Sequence, residues 1–193
     1  MFYVKELSLR IATHFISSAA SGVYNRQGIH RKLLLRFDSQ GQPAEGSVMI
    51  MREVLADDVV MTTTGNGWFV SITRWQNLNL ETSGDTRFVW RYYYRIIGNA
   101  NMILAGIDDA VGPQAEKDEI KGQALAYRAF AHFSLVQLYG ERYAAAGGNS
   151  QLGVPIVLEP ITEGGARNTV EEVYAQVNTD LDTDNDCLLY TSD

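Results

Sequence analysis

Residues 62–86 read TTTGNGWFVSITRWQNLNLETSGDT and concentrate the side chains best suited to recognising a small polar ligand. Trp68 and Trp75 each offer a flat, polarisable indole with one N–H donor, a platform for the apolar face of a ring. Asn66, Asn77 and Asn79 add amides that donate and accept hydrogen bonds. Indole plus amide is the combination that a polyhydroxylated ring requires: stacking on its C–H face and orientation of its hydroxyls. The alternative for both tryptophans is structural, as anchors of a long loop on the core.

Other candidate chemistry is weaker. Asp57-Asp58 and Asp108-Asp109 are adjacent carboxylate pairs. Glycosidic cleavage needs two carboxylates facing each other across a bond, and neighbours at a helix end do not face each other, so these read as helix-terminal solvation or capping. His132 and Ser134 lie two apart on a helix and point to different faces, which excludes a nucleophile and base pair; the histidine reads as a packed or half-exposed helix residue. The GNGW stretch has no strand-to-helix context and is no phosphate loop. Cys187 is the single cysteine, and His14, His30 and His132 are far apart, so the sequence offers no disulfide framework and no metal-ligand spacing. No catalytic residue, metal ligand or cofactor is expected.

The elements that must hold these residues are helical. Leu7, Ile11, Phe15 and Ala19 recur every fourth residue and predict a first helix, ended by Gly22; residues 25–46, with Gly28, Gly41, Pro43 and Gly46, predict loop. A short helix is expected from Ser47 to about Ala56, with Met49, Ile50 and Val54 on one face. The 62–86 segment keeps no single period and reads as a long excursion between helices, a length that is often functional. From about Arg87 to Ala110 apolar residues alternate three and four apart (Val89, Tyr93, Ile96, Ala100, Ile103, Ile107). Gly112-Pro113 then makes a turn into a helix reaching about Tyr139, with Ile120, Ala124, Tyr127, Ala131, Ser134 and Leu138 in one seam and Gly140 as its cap. These two helices should form an antiparallel hairpin with Tyr127 and Phe130 buried inside it. Residues 141–168 are a second connector in which GVPIVL is extended. Thr169-Val170-Glu171-Glu172 is a capping box opening the last helix. The tail DNDCLLYTSD continues no stripe, so residues 1–183 read as an incomplete N-terminal part of a helical domain and 184–193 as a non-native, disordered tail.

Composition sets the class. The chain has 193 residues, 46% hydrophobic and 20% charged, with a net charge of -7, the balance of a globular domain. That charge disfavours nucleic acid, which needs clustered Lys and Arg. No apolar run approaches a membrane span, and Lys5, Glu6, Arg10 and His14 interrupt the start, which does not read as a secretory signal.

Several stretches, in order, resemble the SusD/RagB family. They are REVLADDVV (Arg52–Val60); VWRYYYRIIGNANMILAGID (Val89–Asp108), like W-x-x-Y-x-x-I-x-x-A-N-x-I-L; EIKGQALAYRAFAHFSLVQLYG (Glu119–Gly140), like G-E-A-x-x-L-R-A-x-x-Y-F-x-L-x-x-x-Y-G; LGVPIVL (Leu152–Leu158); and RNTVEEVYAQVNTDL (Arg167–Leu181), like R-x-T-V-x-E-V-Y-x-x-I-x-x-D-L. The resemblance implies an all-α fold of tetratricopeptide-like hairpins with long irregular loops. It further implies a non-enzymatic lipoprotein at the surface of the bacterial outer membrane that binds an oligosaccharide, or in some members a peptide. Its partner would be a SusC-like TonB-dependent transporter. The chain lacks the family's lipidated cysteine, so contact with the membrane would depend on an anchor absent here. Within that resemblance, Trp68, Trp75, Asn77 and Asn79 are the expected ligand-binding residues. The competing reading is a helical-repeat scaffold that binds protein.

Overall fold

The structure is a computed structural model; it describes residues 19–189 except 36, 38–41, 57, 60–66, 77, 79 and 162, and the side chains of 27–184 among them. Six helices appear among the described residues: α1 (Ala19–Leu34), α2 (Ala44–Leu55), α3 (Val70–Thr73), α4 (Gly84–Leu104), α5 (Gln114–Tyr139) and α6 (Val170–Leu189). They belong to two compact units, one running from His30 to Tyr92, the other comprising Tyr93 onward together with the described residues up to Ile29.

In the His30–Tyr92 unit, α2 buries Ala44, Ser47, Val48, Met51 and Val54, and α3 packs against it through Ile72. The expected face was wrong: Met49 is 59% exposed and Ile50 36%. The stripe that wins, at 44, 47, 48, 51 and 54, follows the i, i+3, i+4, i+7, i+10 spacing of one helix face, but its small members Ala44 and Ser47 carry little hydrophobic signal. Phe37 packs edge-on against Phe88 with ring centroids 5.4 Å apart and against Tyr92 at 6.2 Å. The Arg91 guanidinium lies 5.6 Å from the Phe37 ring centre, a cation–π contact.

In the second unit, residue pairs 93 with 130 and 101 with 128 run antiparallel along α4 and α5, and Asp108, past the end of α4, meets Lys121 near the start of α5. Tyr93 and Phe130 have ring centroids 6.0 Å apart, Arg128 Nη1 donates to Asn101 Oδ1 at 3.1 Å, and Lys121 Nζ reaches Asp108 Oδ1 at 2.9 Å. The hairpin is therefore as expected, but Phe130 is not inside it. It is 37% exposed, because the inward positions of α5 are taken by Ile120, Ala124, Ala131 and Leu135. Helix α6 packs on α5, buries Val170, Val173 and Val177, and starts with the expected capping box. The Glu172 N–H donates to Thr169 Oγ at 3.2 Å, and the Glu172 carboxylate accepts the Thr169 N–H at 2.8 Å. The bond from the Thr169 N–H, with further bonds from the Thr169 hydroxyl and the Asn168 amide, holds the Glu172 carboxyl below the usual range.

Four boundaries differ from the sequence reading. Helix α1 runs through Gly22 and Gly28 to Leu34; a glycine costs a helix about 1 kcal/mol and does not by itself stop it. Helix α4 starts at Gly84 and ends at Leu104, earlier at both ends than its stripe suggests. Helix α6 continues to Leu189 instead of stopping at Thr183. Gly140 does cap α5, but in an extended conformation, with φ -98 and ψ 170, and not a left-handed one. Glycine is needed there for room: a Cβ would lie 2.7 Å from the Val136 carbonyl oxygen. The GVPIVL run is extended yet forms no strand; the chain there touches the start of α6 through one antiparallel bridge, Leu152 with Thr169.

Candidate functional site

The two described members of the expected site flank α3. This single turn is fixed from both sides. Ile72 is buried, Ser71 Oγ donates to Asp85 Oδ2 at the start of α4 at 3.3 Å, and Thr86 Oγ1 donates to the Leu78 carbonyl at 3.2 Å. Trp68 is 43% exposed and Trp75 62%. The anchoring alternative therefore fails for Trp75, whose ring is mostly in solvent; Ile72 is the anchor. Asn66, Asn77 and Asn79 lie outside the described residues, as does Asp57 of the first acidic pair.

The backbone around Trp75 is unusual. Its φ is +53, and that of Phe69 at the other end of α3 is +61. The Trp75 N–H donates to the Ile72 carbonyl at 2.9 Å and the Gln76 N–H to the Ser71 carbonyl at 2.8 Å. This pair of bonds is the Schellman ending of a helix, in which the left-handed position is usually glycine because a Cβ there costs about 1–2 kcal/mol. A bulky aromatic residue occupies it here and points its side chain mostly into water. Strain of this kind persists where the surroundings over-determine it, and it clusters at ligand clamps. Nothing in the sequence signals it, since the motif is defined by dihedrals.

The other polar concentration is buried, in the unit of α4, α5 and α6. Arg128 grips Asp180 with two bonds, Nη2 to Oδ1 at 2.6 Å and Nε to Oδ2 at 2.8 Å. Gln176 Nε2 donates to the same carboxylate at 2.8 Å. Asn101 Nδ2 donates to the carbonyls of Val157 and Glu159 at 2.9 and 3.2 Å, and Arg128 Nη1 reaches the Leu158 carbonyl at 3.4 Å. Tyr94 Oη donates to the Pro155 carbonyl at 2.8 Å, and burial pushes its phenol pKa upward. The Val157 N–H donates to His132 Nε2 at 3.3 Å. A backbone N–H can only donate, so the imidazole proton sits on Nδ1, 3.1 Å from the Arg128 carbonyl oxygen. Burial pulls the His132 pKa down to about 4, so the ring is neutral near pH 7.

This cluster has the residue types of a hydrolytic site but not its geometry. His132 is fully buried, both ring nitrogens are bonded to backbone, and the carboxylate of Asp180 is spent on Arg128 and Gln176. It is a clamp for the 153–159 segment. The signal was already present, because Asn101, Arg128 and Asp180 are the polar letters of the three helical motifs. Among the described residues there is no group of His, Cys, Asp and Glu able to hold a metal ion, and no helix long and apolar enough to cross a membrane.

Comparison with known proteins agrees with these motifs. The SusD-like family described as starch-binding and associating with the outer membrane matches residues 13–192. A SusD-like carbohydrate-binding protein from Bacteroides vulgatus ATCC 8482 superposes with a TM-score of 0.79 at 27% identity, over 89% of this chain and 36% of that one. A second protein from that strain, assigned a sugar-binding role, gives 0.69 at 26% identity, over 89% of this chain and 37% of the other. The chain thus spans little more than a third of the solved structures it matches. No curated protein matches it.

Proposed function

Because the chain belongs to the SusD-like family of starch-binding proteins that associate with the outer membrane, we propose that it takes part in non-enzymatic binding of oligosaccharide nutrients at the bacterial cell surface. The bound glycan would be handed to a SusC-like TonB-dependent transporter. The observation that carries the site is Trp75, an exposed indole held in a left-handed backbone position that glycine would fill at lower cost. Trp68 lies at the other end of the same helical turn, and Asn77 and Asn79 follow Trp75 closely in sequence. A sugar ring stacks on the indole and the amides orient its hydroxyls.

The test is calorimetric titration with starch oligosaccharides and with plant, fungal and host glycans, repeated on Trp68→Ala and Trp75→Ala. A stacking platform contributing ~1–2 kcal/mol weakens binding about five- to thirtyfold when removed. Glycan binding that neither variant changes would place the site elsewhere. Binding of a peptide and no glycan would change the ligand class, and hydrolysis of any glycan would overturn the non-enzymatic reading.

A further inference from the structure

The polar side chains in and after α3 divide into those spent inside the fold and those left outside it. Ser71 Oγ donates to Asp85 Oδ2 at 3.3 Å, and Thr73 Oγ1 donates to the Phe69 carbonyl at 3.2 Å; both residues are half-buried. Arg74, Trp75 and Gln76, which follow, are all exposed. The Arg74 side chain forms no hydrogen bond, ion pair or ring contact among the described residues. Asp85, the acid that reaches α3, bonds Ser71 and not Arg74. By contrast, Arg128 grips Asp180, Arg167 holds the carbonyls of Gly153 and Tyr139, and Arg91 lies against the Phe37 ring. The backbone that carries Arg74 and Trp75 is fixed: the Arg74 N–H donates to the Val70 carbonyl at 3.2 Å and the Trp75 N–H to the Ile72 carbonyl at 2.9 Å. Neighbouring Cα atoms are about 3.8 Å apart, and an arginine stem is long enough to reach a substituent of a ring stacked on the adjacent indole.

We infer that the sugar taken at α3 is an acidic one, whose ring stacks on Trp75 and whose carboxylate pairs with Arg74. This preference rests on the reading of Trp75 as a sugar platform and narrows it to a substrate class. A guanidinium presents a planar fork that meets a carboxylate with two parallel hydrogen bonds. The Gln76 amide remains for a ring hydroxyl. A neutral sugar would leave the cation without a counter-charge. The chain as a whole has a net charge of -7, so its overall field repels an anion, and a preference for one has to come from a local cation. Starch is uncharged, so the description of the family does not supply this preference.

The experiment is calorimetric titration of this chain with trimers of galacturonic and of glucuronic acid, each paired with its methyl ester. Acid and ester have the same rings and differ in charge. One of the acids should bind about three- to fivefold more tightly than its ester, the range of an exposed ion pair, and the ratio should shrink as sodium chloride is raised. Arg74→Gln should bring the two affinities together, Arg74→Lys should keep part of the difference, and Trp75→Ala should weaken acid and ester alike. Equal binding of acid and ester, with both weakened in Trp75→Ala, overturns the acidic preference and leaves the glycan reading standing. Binding of neutral glycans and of no acidic one does the same. A preference for the acid that survives Arg74→Gln belongs to another cation and also overturns the inference. Binding of no glycan, acidic or neutral, overturns the glycan reading and the acidic preference together.

Discussion

The clamp around Arg128 and the surface around α3 spend their costly residues in opposite ways. In the clamp, Arg128, Asp180, Asn101 and His132 are all withdrawn from solvent, and their bonds go to each other, to Gln176 or to backbone. At α3, Trp75 remains in water and its backbone is held in a conformation that costs free energy. Buried polar groups with satisfied bonds specify one arrangement of the chain. An exposed aromatic on a strained backbone contributes little to stability, and its reason has to be sought in what it touches from outside. The polar cluster, which has the more enzyme-like composition, is therefore architecture, and the α3 surface is the proposed binding face.

The largest effect that would break this division is at Arg128. Arg128→Ala leaves the Asp180 carboxylate buried without its main partner and should cost about 3–5 kcal/mol in urea denaturation. Replacing both residues, as Arg128→Met with Asp180→Leu, should cost less than the single change. A single-variant loss under about 1 kcal/mol would mean that the pair does not hold the unit together.

The next effect sharpens the same side through pH. His132 is neutral in the fold with a pKa of about 4, against about 6.5 when unfolded. The unfolded chain therefore takes up a proton first as pH falls. Its contribution to stability is intact above about pH 6.5, declines below it, and is about 3 kcal/mol smaller once pH 4 is reached. Urea midpoints between pH 7 and 5 should fall more steeply for the native chain than for His132→Gln; parallel profiles would refute the buried neutral ring.

The smallest effect tests the α3 side. Trp75→Gly should be more stable than Trp75→Ala by about 1 kcal/mol, since glycine alone relieves the left-handed backbone. The alanine variant the more stable of the two would remove the argument for strain. If the ordering holds, Trp75→Gly also becomes the better control for glycan titration.

Much of this was legible in sequence. The α4–α5 hairpin, the Gly112-Pro113 turn and the Thr169–Glu172 capping box follow from periodicity and local hydrogen-bond chemistry, both local properties. What failed has particular causes. A single glycine does not stop a helix, so α1 runs through Gly22 and Gly28; the buried face of α2 includes Ala44 and Ser47, which carry little hydrophobic signal; and the inward positions of α5 are taken by Ile120, Ala124, Ala131 and Leu135, leaving Phe130 exposed. Of the proposed site, the two tryptophans are legible by residue type, whereas the feature that singles out Trp75 is a dihedral angle.

The clamp on residues 153–159 has a consequence for variation. Tyr94, Asn101 and Arg128 bind the main-chain oxygens of Pro155, Val157, Leu158 and Glu159, atoms that every amino acid possesses. The path of the segment is thus set by α4 and α5, while the outward side chains of Leu158 and Glu159 take no part in holding it. Substitution at those two positions changes the chemistry of that surface and leaves its frame in place.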